Sequence, residues 1–143
     1  MSASPLPVSA QILRGVFLLL LLVTGGAKLL DMPGFYGVVA AYRALPEVLV
    51  PASAWALALT ELGLAIWLAA GRLLRHAALL VVLLHLMYLG WLLAALARGL
   101  ELANCGCFGV YLARPLSWTM PLEDTALLTL ALVFWLHARR ARA

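Results

Sequence analysis

Two cysteines, Cys105 and Cys107, are the residues of this sequence best suited to covalent chemistry. They are the only cysteines among 143 residues, and they flank Gly106 in the hexapeptide Asn104-Cys105-Gly106-Cys107-Phe108-Gly109. A disulfide across one residue closes a small ring, which departs from the geometry that relaxed disulfides prefer. Strained disulfides tend to be labile or catalytic, and so small a loop adds little stability as a cross-link. We therefore interpret the pair as a redox-active dithiol.

The residues alone leave two other interpretations of the pair open. The cysteines could be structural or inert, acting as a local clamp. They could also hold a soft metal ion, since thiolates with a methionine such as Met120 or Met32 suit Cu(I).

The rest of the chain has the composition of a membrane protein. Hydrophobic residues make up 66% and charged residues 11%, which excludes an ordinary soluble domain. The apolar runs approach the roughly 20 residues that cross a hydrocarbon core as a helix, and no basic stripe interleaved with aromatic residues suggests nucleic-acid binding. We predict an all-α, single-domain bundle over residues 1–143 with four transmembrane helices, at about 11–30, 51–70, 75–96 and 121–137.

The first apolar run has a competing interpretation as a cleaved signal peptide. Gly25-Gly26-Ala27 could serve as a small-residue cleavage site. The residues that follow, Lys28-Leu29-Leu30, continue a helix instead, so we expect a retained first span.

Basic residues are distributed unevenly between the two ends of the predicted helices. The end with both termini and the 71–75 turn carries six arginines and no carboxylate: Arg14, Arg72, Arg75, Arg139, Arg140 and Arg142. The positive-inside rule therefore predicts that both termini face the cytoplasm. The Cys105–Cys107 loop would then be extracytoplasmic, where thiol pairs usually oxidise.

Ionisable residues also lie within or beside the predicted spans. Glu61 and His85 stand at membrane depth, and Lys28 lies near the outer end of the first span, from which it could reach inward. A charged side chain at such depth costs about 2.5–3.5 kcal/mol on insertion scales. Glu61 would then be protonated, or paired with Lys28 or His85, and Tyr88, one helical turn beyond His85, is placed to join a polar cluster with His85 and Glu61. Such a cluster either fixes the helix register or handles protons or a cofactor.

Further charged residues lie close to the cysteines in sequence. Arg114, Glu123, Asp124 and Glu101 flank the hexapeptide. Because a reactive thiol needs a lowered pKa, these residues are candidates to tune it or to move its proton.

The sequence resembles the MauE/DoxX-like family of redox-associated membrane proteins over nearly its whole length. The motifs that carry the resemblance are Gly26-Ala27-Lys28-Leu29, Tyr42-Arg43-Ala44-Leu45-Pro46, Glu61, the cysteine hexapeptide, and Pro115-Leu116-Ser117-Trp118 before an acidic helix start. The resemblance implies a four-helix integral membrane protein linked to disulfide formation or electron delivery for periplasmic proteins. It further implies maturation of methylamine dehydrogenase or work beside thioredoxin-like partners.

We therefore expect a membrane redox accessory in which Cys105 and Cys107 exchange disulfides with an extracytoplasmic thioredoxin-like partner, as a thiol-disulfide oxidoreductase would. The alternatives are a non-catalytic assembly or chaperone-like membrane protein, and copper handling.

Electrons cannot cross this protein by thiol exchange alone, because the predicted spans and the cytoplasmic side contain no cysteine. Either a soluble partner supplies and removes them on the outer side, or a lipophilic carrier such as a quinone docks between helices near Glu61, His85, Tyr88 and Lys28. The sequence favours the soluble partner, since polar residues in a bundle also serve packing. No metal and no resident cofactor is assigned.

Overall fold

The protein, represented by a computed structural model, is described over residues 6–141. This part of the chain contains helices and no β-strand. The elements are α1 (Val8–Leu30), α2 (Met32–Ala41), a short 3-10 helix (Glu47–Leu49), α3 (Val50–Ala70), α4 (Leu74–Ala97) and α5 (Thr119–Arg140). Helices α1, α3, α4 and α5 are long and apolar enough to cross a membrane, and each contains one of the predicted ranges. The predicted all-α, four-span membrane bundle is confirmed.

The four long helices form two closely packed pairs, α1 with α3 and α4 with α5. Gly25 of α1 lies so close to α3 that a Cβ at this position would be 3.0 Å from Leu62 and 3.1 Å from Glu61. Small residues allow this close approach of membrane helices. Helices α3 and α4 contact each other far less, as do α1 and α5, so the two pairs are only loosely joined to each other.

One end of the bundle holds the start of α1, the α3–α4 turn and the end of α5. There the Arg14 side chain donates hydrogen bonds to the carbonyls of Leu68 and Ala69, at 2.7 and 2.9 Å. A cation at a helix C-terminus also interacts favourably with the helix dipole. This contact secures α1 to α3 at the arginine-rich end.

The opposite end is covered by α2 and by the long segment 98–118, which contains the cysteines. The Arg98 guanidinium joins the two, since it donates to the carbonyls of Tyr42 at 2.8 Å and of Arg43 at 3.1 Å. A backbone hydrogen bond of 2.9 Å from Leu116 to Leu102 closes the segment on itself. The cysteine hexapeptide is therefore held over the end of the bundle.

Candidate redox site

The backbone of the hexapeptide is fixed by hydrogen bonds on both sides of the cysteines. The Asn104 side chain donates to the Gly109 carbonyl at 2.8 Å and accepts from the Gly106 N–H at 2.9 Å. The Cys105 N–H donates to the carbonyl of Arg114 at 2.9 Å. On the α2 side, the Tyr42 hydroxyl donates to the Cys105 carbonyl at 2.6 Å. The loop thus presents its thiols in a defined geometry.

Two glycines let the loop approach the helices. Gly106 and Gly109 have φ angles of +83° and +62°, a region that glycine adopts without steric cost. A Cβ on Gly106 would lie 2.6 Å from Val38, and one on Gly109 would lie 3.1 Å from the Ala27 carbonyl oxygen and from the Lys28 Cα. The hexapeptide therefore rests directly on α1 and α2.

The two thiols face each other across Gly106. Their sulfur atoms are 3.1 Å apart, and both are free thiols, with Cys105 buried and Cys107 exposed. Because a disulfide bond needs an S–S distance of about 2.05 Å, a small rearrangement would join them. The geometry suits a pair of cysteines that can form and break a disulfide bond.

The two thiols are electronically different. The hydrogen bond from the Cys107 thiol, helped by the Cys107 backbone N–H and the Arg114 charge, outweighs burial and lowers the pKa of Cys105 to about 6. The same hydrogen bond raises the pKa of Cys107, whose side chain is exposed. Burial, followed by the two neighbouring thiols, also raises the pKa of Tyr42, which keeps its hydroxyl a donor. The hydrogen bond between the two thiols therefore favours the thiolate at Cys105 over the thiolate at Cys107.

This difference predicts a pH profile for alkylation of the reduced protein. Only the thiolate reacts, so the iodoacetamide rate at Cys105 should be half-maximal near pH 6. The rate should fall about tenfold per unit at lower pH and stay flat up to pH 8, where an ordinary thiol of pKa about 8.5 is still gaining reactivity. Peptide mass spectrometry resolves the two cysteines.

The control for this profile is Cys107→Ala, which removes the hydrogen-bond donor and should move the Cys105 rise to higher pH. A wild-type rate at Cys105 that still climbs between pH 7 and pH 8 would contradict the assignment.

Beneath the loop, a buried ion pair connects α1 with α3. The Lys28 ammonium lies 2.7 Å from Oε2 of Glu61 and 3.0 Å from Oε1, with the two residues 2% and 1% exposed. Lys28 also donates to the Cys107 carbonyl at 2.9 Å, and the Tyr88 hydroxyl donates to Glu61. A continuous hydrogen-bonded chain therefore runs from the cysteine loop into the bundle.

His85 lies beside this chain without a hydrogen bond to Glu61. Its Nδ1 contacts the Val81 carbonyl at 2.9 Å, and its ring meets Phe17 edge-on at 5.5 Å and Tyr88 at 6.2 Å. The structure thus brings Lys28, Glu61 and Tyr88 together and leaves His85 as their packed neighbour.

The charged residues that flank the hexapeptide are placed in different ways. Arg114 forms a two-pronged ion pair with Glu123, with both N–O distances 2.8 Å, and this exposed pair ties the loop to the start of α5. Glu101 is exposed on the loop. Asp124 is 8% exposed, and its Oδ2 has no hydrogen-bond partner within the described residues.

The methionines considered for copper lie in different surroundings. Met120 packs in one buried cluster with Cys105 and Leu92. Met32 belongs to another cluster, with Phe35, Ala54 and Ala58. Residues 6–141 contain no group of three or more His, Cys, Asp or Glu side chains arranged around a common point.

A large cavity adjoins the thiols. It has a volume of about 830 Å³ and reaches from Cys105, Gly106 and Cys107 down between the helices. Its wall is mostly leucine and aromatic side chains, and its charged or hydrogen-bonding members include Lys28, Glu61, Tyr88, His85 and Asp124, with Arg114 and Glu123 at the loop. The sequence predicted that Lys28, Glu61, Tyr88 and His85 would group together, and it offered Asp124 only for its closeness to the cysteines. The space that all five share depends on how the helices pair.

Two residues of the site were not among the sequence candidates. Tyr42 and Asn104 fix the cysteine backbone from either side. Tyr42 belongs to the motif Tyr42-Arg43-Ala44-Leu45-Pro46, and Asn104 belongs to Asn104-Cys105-Gly106-Cys107-Phe108-Gly109. Both motifs were noticed in the sequence, but the contacts of these two side chains depend on the fold.

Comparison with known proteins agrees with the resemblance of the motifs. Residues 6–137 match the family described as "Methylamine utilisation protein MauE". The chain is 35% identical over 118 residues to methylamine utilization protein MauE of Paracoccus denitrificans, a match that covers 82% of this chain and 63% of the relative. The match thus spans less than two thirds of that relative's length. No solved structure matches the chain. By the extent of these matches, the chain belongs to the MauE family.

Proposed function

We propose that this protein is a thiol-disulfide exchange protein of the bacterial inner membrane, with Cys105 and Cys107 as its reactive pair. The observation that carries the proposal is the pair itself: two sulfurs 3.1 Å apart in a hydrogen-bonded loop, one exposed and one with its pKa lowered to about 6. A structural clamp has no need of such a difference between its thiols. By its family, we place the exchange in the maturation of periplasmic proteins for methylamine utilisation.

The asymmetry of the thiols defines a direction for the reaction. In the oxidised pair, a partner thiolate attacks the exposed sulfur of Cys107, and the Cys105–Cys107 bond breaks with Cys105 leaving as a thiolate. A thiol of low pKa leaves faster, and Cys105 is that thiol. The partner's second thiolate then attacks its own mixed-disulfide sulfur, which releases Cys107 to take up a proton. The partner gains a disulfide, and this protein is left with two reduced cysteines.

The membrane placement follows the charge distribution. The loop would face the periplasm because the opposite end of the described bundle carries Arg14, Arg72, Arg75, Arg139 and Arg140. A thioredoxin-like domain is the natural partner, since it presents a thiol pair on a surface that can reach Cys107.

Single cysteine variants test this function. Cys105→Ser leaves the exposed Cys107 thiol able to attack an oxidised partner and removes the Cys105 thiolate that would otherwise displace that partner, so the variant should accumulate a mixed disulfide in cells. Cys107→Ser leaves only the buried Cys105 and should accumulate about tenfold less, because access limits exchange. Nonreducing gels and mass spectrometry of the adduct give the yield and the partner.

The same Cys107 thiol should be labelled in intact cells by a membrane-impermeant maleimide. If the protein is instead an assembly scaffold in which the cysteines form a structural clamp, neither single variant should form an adduct, and the Cys105→Ser/Cys107→Ser double variant should keep its full function in cells. That result would overturn the proposal. Labelling that requires a membrane-permeant reagent would overturn the orientation.

A further inference from the structure

We propose that the cavity beside the cysteines binds a lipid-soluble quinone, which reoxidises the Cys105–Cys107 pair. This inference rests on the proposed exchange function and adds the electron acceptor that the function needs. Each time the protein gives a disulfide to a partner, its own cysteines gain two electrons. It must pass these two electrons to an acceptor before it can react again. The structure places a membrane-embedded cavity at the thiols that lose them.

The cavity has the size and character of a small-molecule site. Its volume of about 830 Å³ lies within the roughly 300–1,000 Å³ of typical ligand pockets, which are mainly apolar with a few placed polar groups. Such a wall suits a quinone ring with its hydrocarbon tail.

The cavity is accessible from the side of the bundle, where lipid would lie. Helices α3 and α4 are only loosely joined to each other. Residues from both helices line the cavity and are exposed: Ala56, Thr60, Leu80, Leu83 and Met87. A lipophilic molecule could therefore enter between α3 and α4 without crossing the polar loop.

The polar end of the cavity points to an oxygen-bearing occupant rather than an acyl chain. Asp124 lines it with a buried carboxyl oxygen that has no hydrogen-bond partner within residues 6–141. Burying a polar group without a partner is costly, and a hydroxyl group of the occupant, which can donate to the carboxylate oxygen, would remove that cost. An acyl chain offers no such donor, whereas the reduced form of a quinone, the quinol, carries hydroxyl groups on opposite edges of its ring.

The chemistry balances with a quinone and requires no other oxidant. The Cys105 thiolate adds to a ring carbon, forming a C–S bond. Cys107 gives its proton to Asp124 and attacks the Cys105 sulfur, and the C–S bond breaks with its electron pair passing into the ring. The disulfide forms, and the ring oxygens take up two protons. One comes from the Cys107 thiol through Asp124. The other comes from solvent and balances the proton that Cys105 lost to solvent when it became a thiolate. Two thiols and one quinone thus yield one disulfide and one quinol.

The test uses the reduced full-length protein in dodecylmaltoside with decylubiquinone as the probe. Wild-type protein should lose two thiols for each quinol formed. Ala56→Trp fills the cavity from α3 and should slow this reaction at least about tenfold, since a ring that cannot reach the thiols loses the benefit of orientation. Ala52→Trp is the matched control, because Ala52 is exposed one turn earlier on α3 and does not line the cavity. It should react at the wild-type rate.

Exchange with oxidised glutathione, measured on the same samples, separates this inference from the proposed function. Ala56→Trp should exchange as wild type does. If wild type exchanges but does not reduce the quinone, the inference is wrong and the exchange function stands; if it does neither, both fail. Equal quinone rates for Ala56→Trp and Ala52→Trp would also overturn the inference. Should Ala56→Trp fail to insert, Leu83→Trp on α4 repeats the test against Leu79→Trp, an exposed position outside the cavity.

Discussion

Replacing Lys28 by methionine is expected to lower the free energy of unfolding by about 3–5 kcal/mol, the usual result of removing one partner from a buried ion pair. Methionine keeps most of the volume of lysine and loses the ammonium. The Glu61 carboxylate, 1% exposed, would retain the Tyr88 hydroxyl as a donor and have no opposite charge. The measurement is equilibrium unfolding of the purified protein in mixed micelles of dodecyl sulfate and dodecylmaltoside.

The double variant Lys28→Met/Glu61→Leu is the control. Replacing both members of a buried pair by apolar residues is often neutral, so this variant should recover most of the lost stability. A loss of less than about 1 kcal/mol in Lys28→Met would place the pair in the class of exposed ion pairs and contradict the buried geometry. The double variant should still exchange disulfides, since Cys105 and Cys107 are held by Asn104 and Tyr42 as well.

The four spans could be predicted because hydrophobic length alone defines a membrane helix. The Lys28–Glu61 pair was foreseeable for a related reason: charges at membrane depth are few, and each needs a partner. His85 shows the limit of this reasoning. Its ring packs against Phe17 and its Nδ1 contacts the Val81 carbonyl. A sequence rich in leucine and alanine does not reveal which helix faces the His85 side chain.

The cavity and the difference between the two thiols could not be read from the sequence. The cavity exists because α1 pairs with α3 and α4 pairs with α5, whereas leucine- and alanine-rich helices have similar faces all around. The lowered pKa of Cys105 depends on its hydrogen bond with Cys107 and on the nearby Arg114 charge, and the Cys-Gly-Cys spacing alone shows neither. Asp124 was a candidate only for its closeness in sequence, and its unpartnered oxygen became visible with the fold.

Replacing Gly109 by alanine is expected to lower the free energy of unfolding by about 2–5 kcal/mol, the sum of two effects. An L-residue in the left-handed region costs about 1–2 kcal/mol, and Gly109 has a φ of +62°. Crowding a packed site costs typically about 1–3 kcal/mol more, and here the new Cβ would lie 3.1 Å from the Ala27 carbonyl oxygen and from the Lys28 Cα. Both neighbours are backbone atoms of α1, which cannot rotate away as a side chain would.

Gly99→Ala separates the two effects, because Gly99 has a φ of +65° and open space around the Cβ position. It should show only the backbone cost of about 1–2 kcal/mol. Gly109→Ala should also raise the pH at which Cys105 becomes reactive, since a displaced loop disturbs the hydrogen bond between the thiols, while Gly99→Ala should leave that pH near 6. Equal losses of stability in the two variants, with the same alkylation profile, would mean that the loop does not rest on α1. The assigned contact between the cysteine loop and the Lys28 backbone would then be wrong.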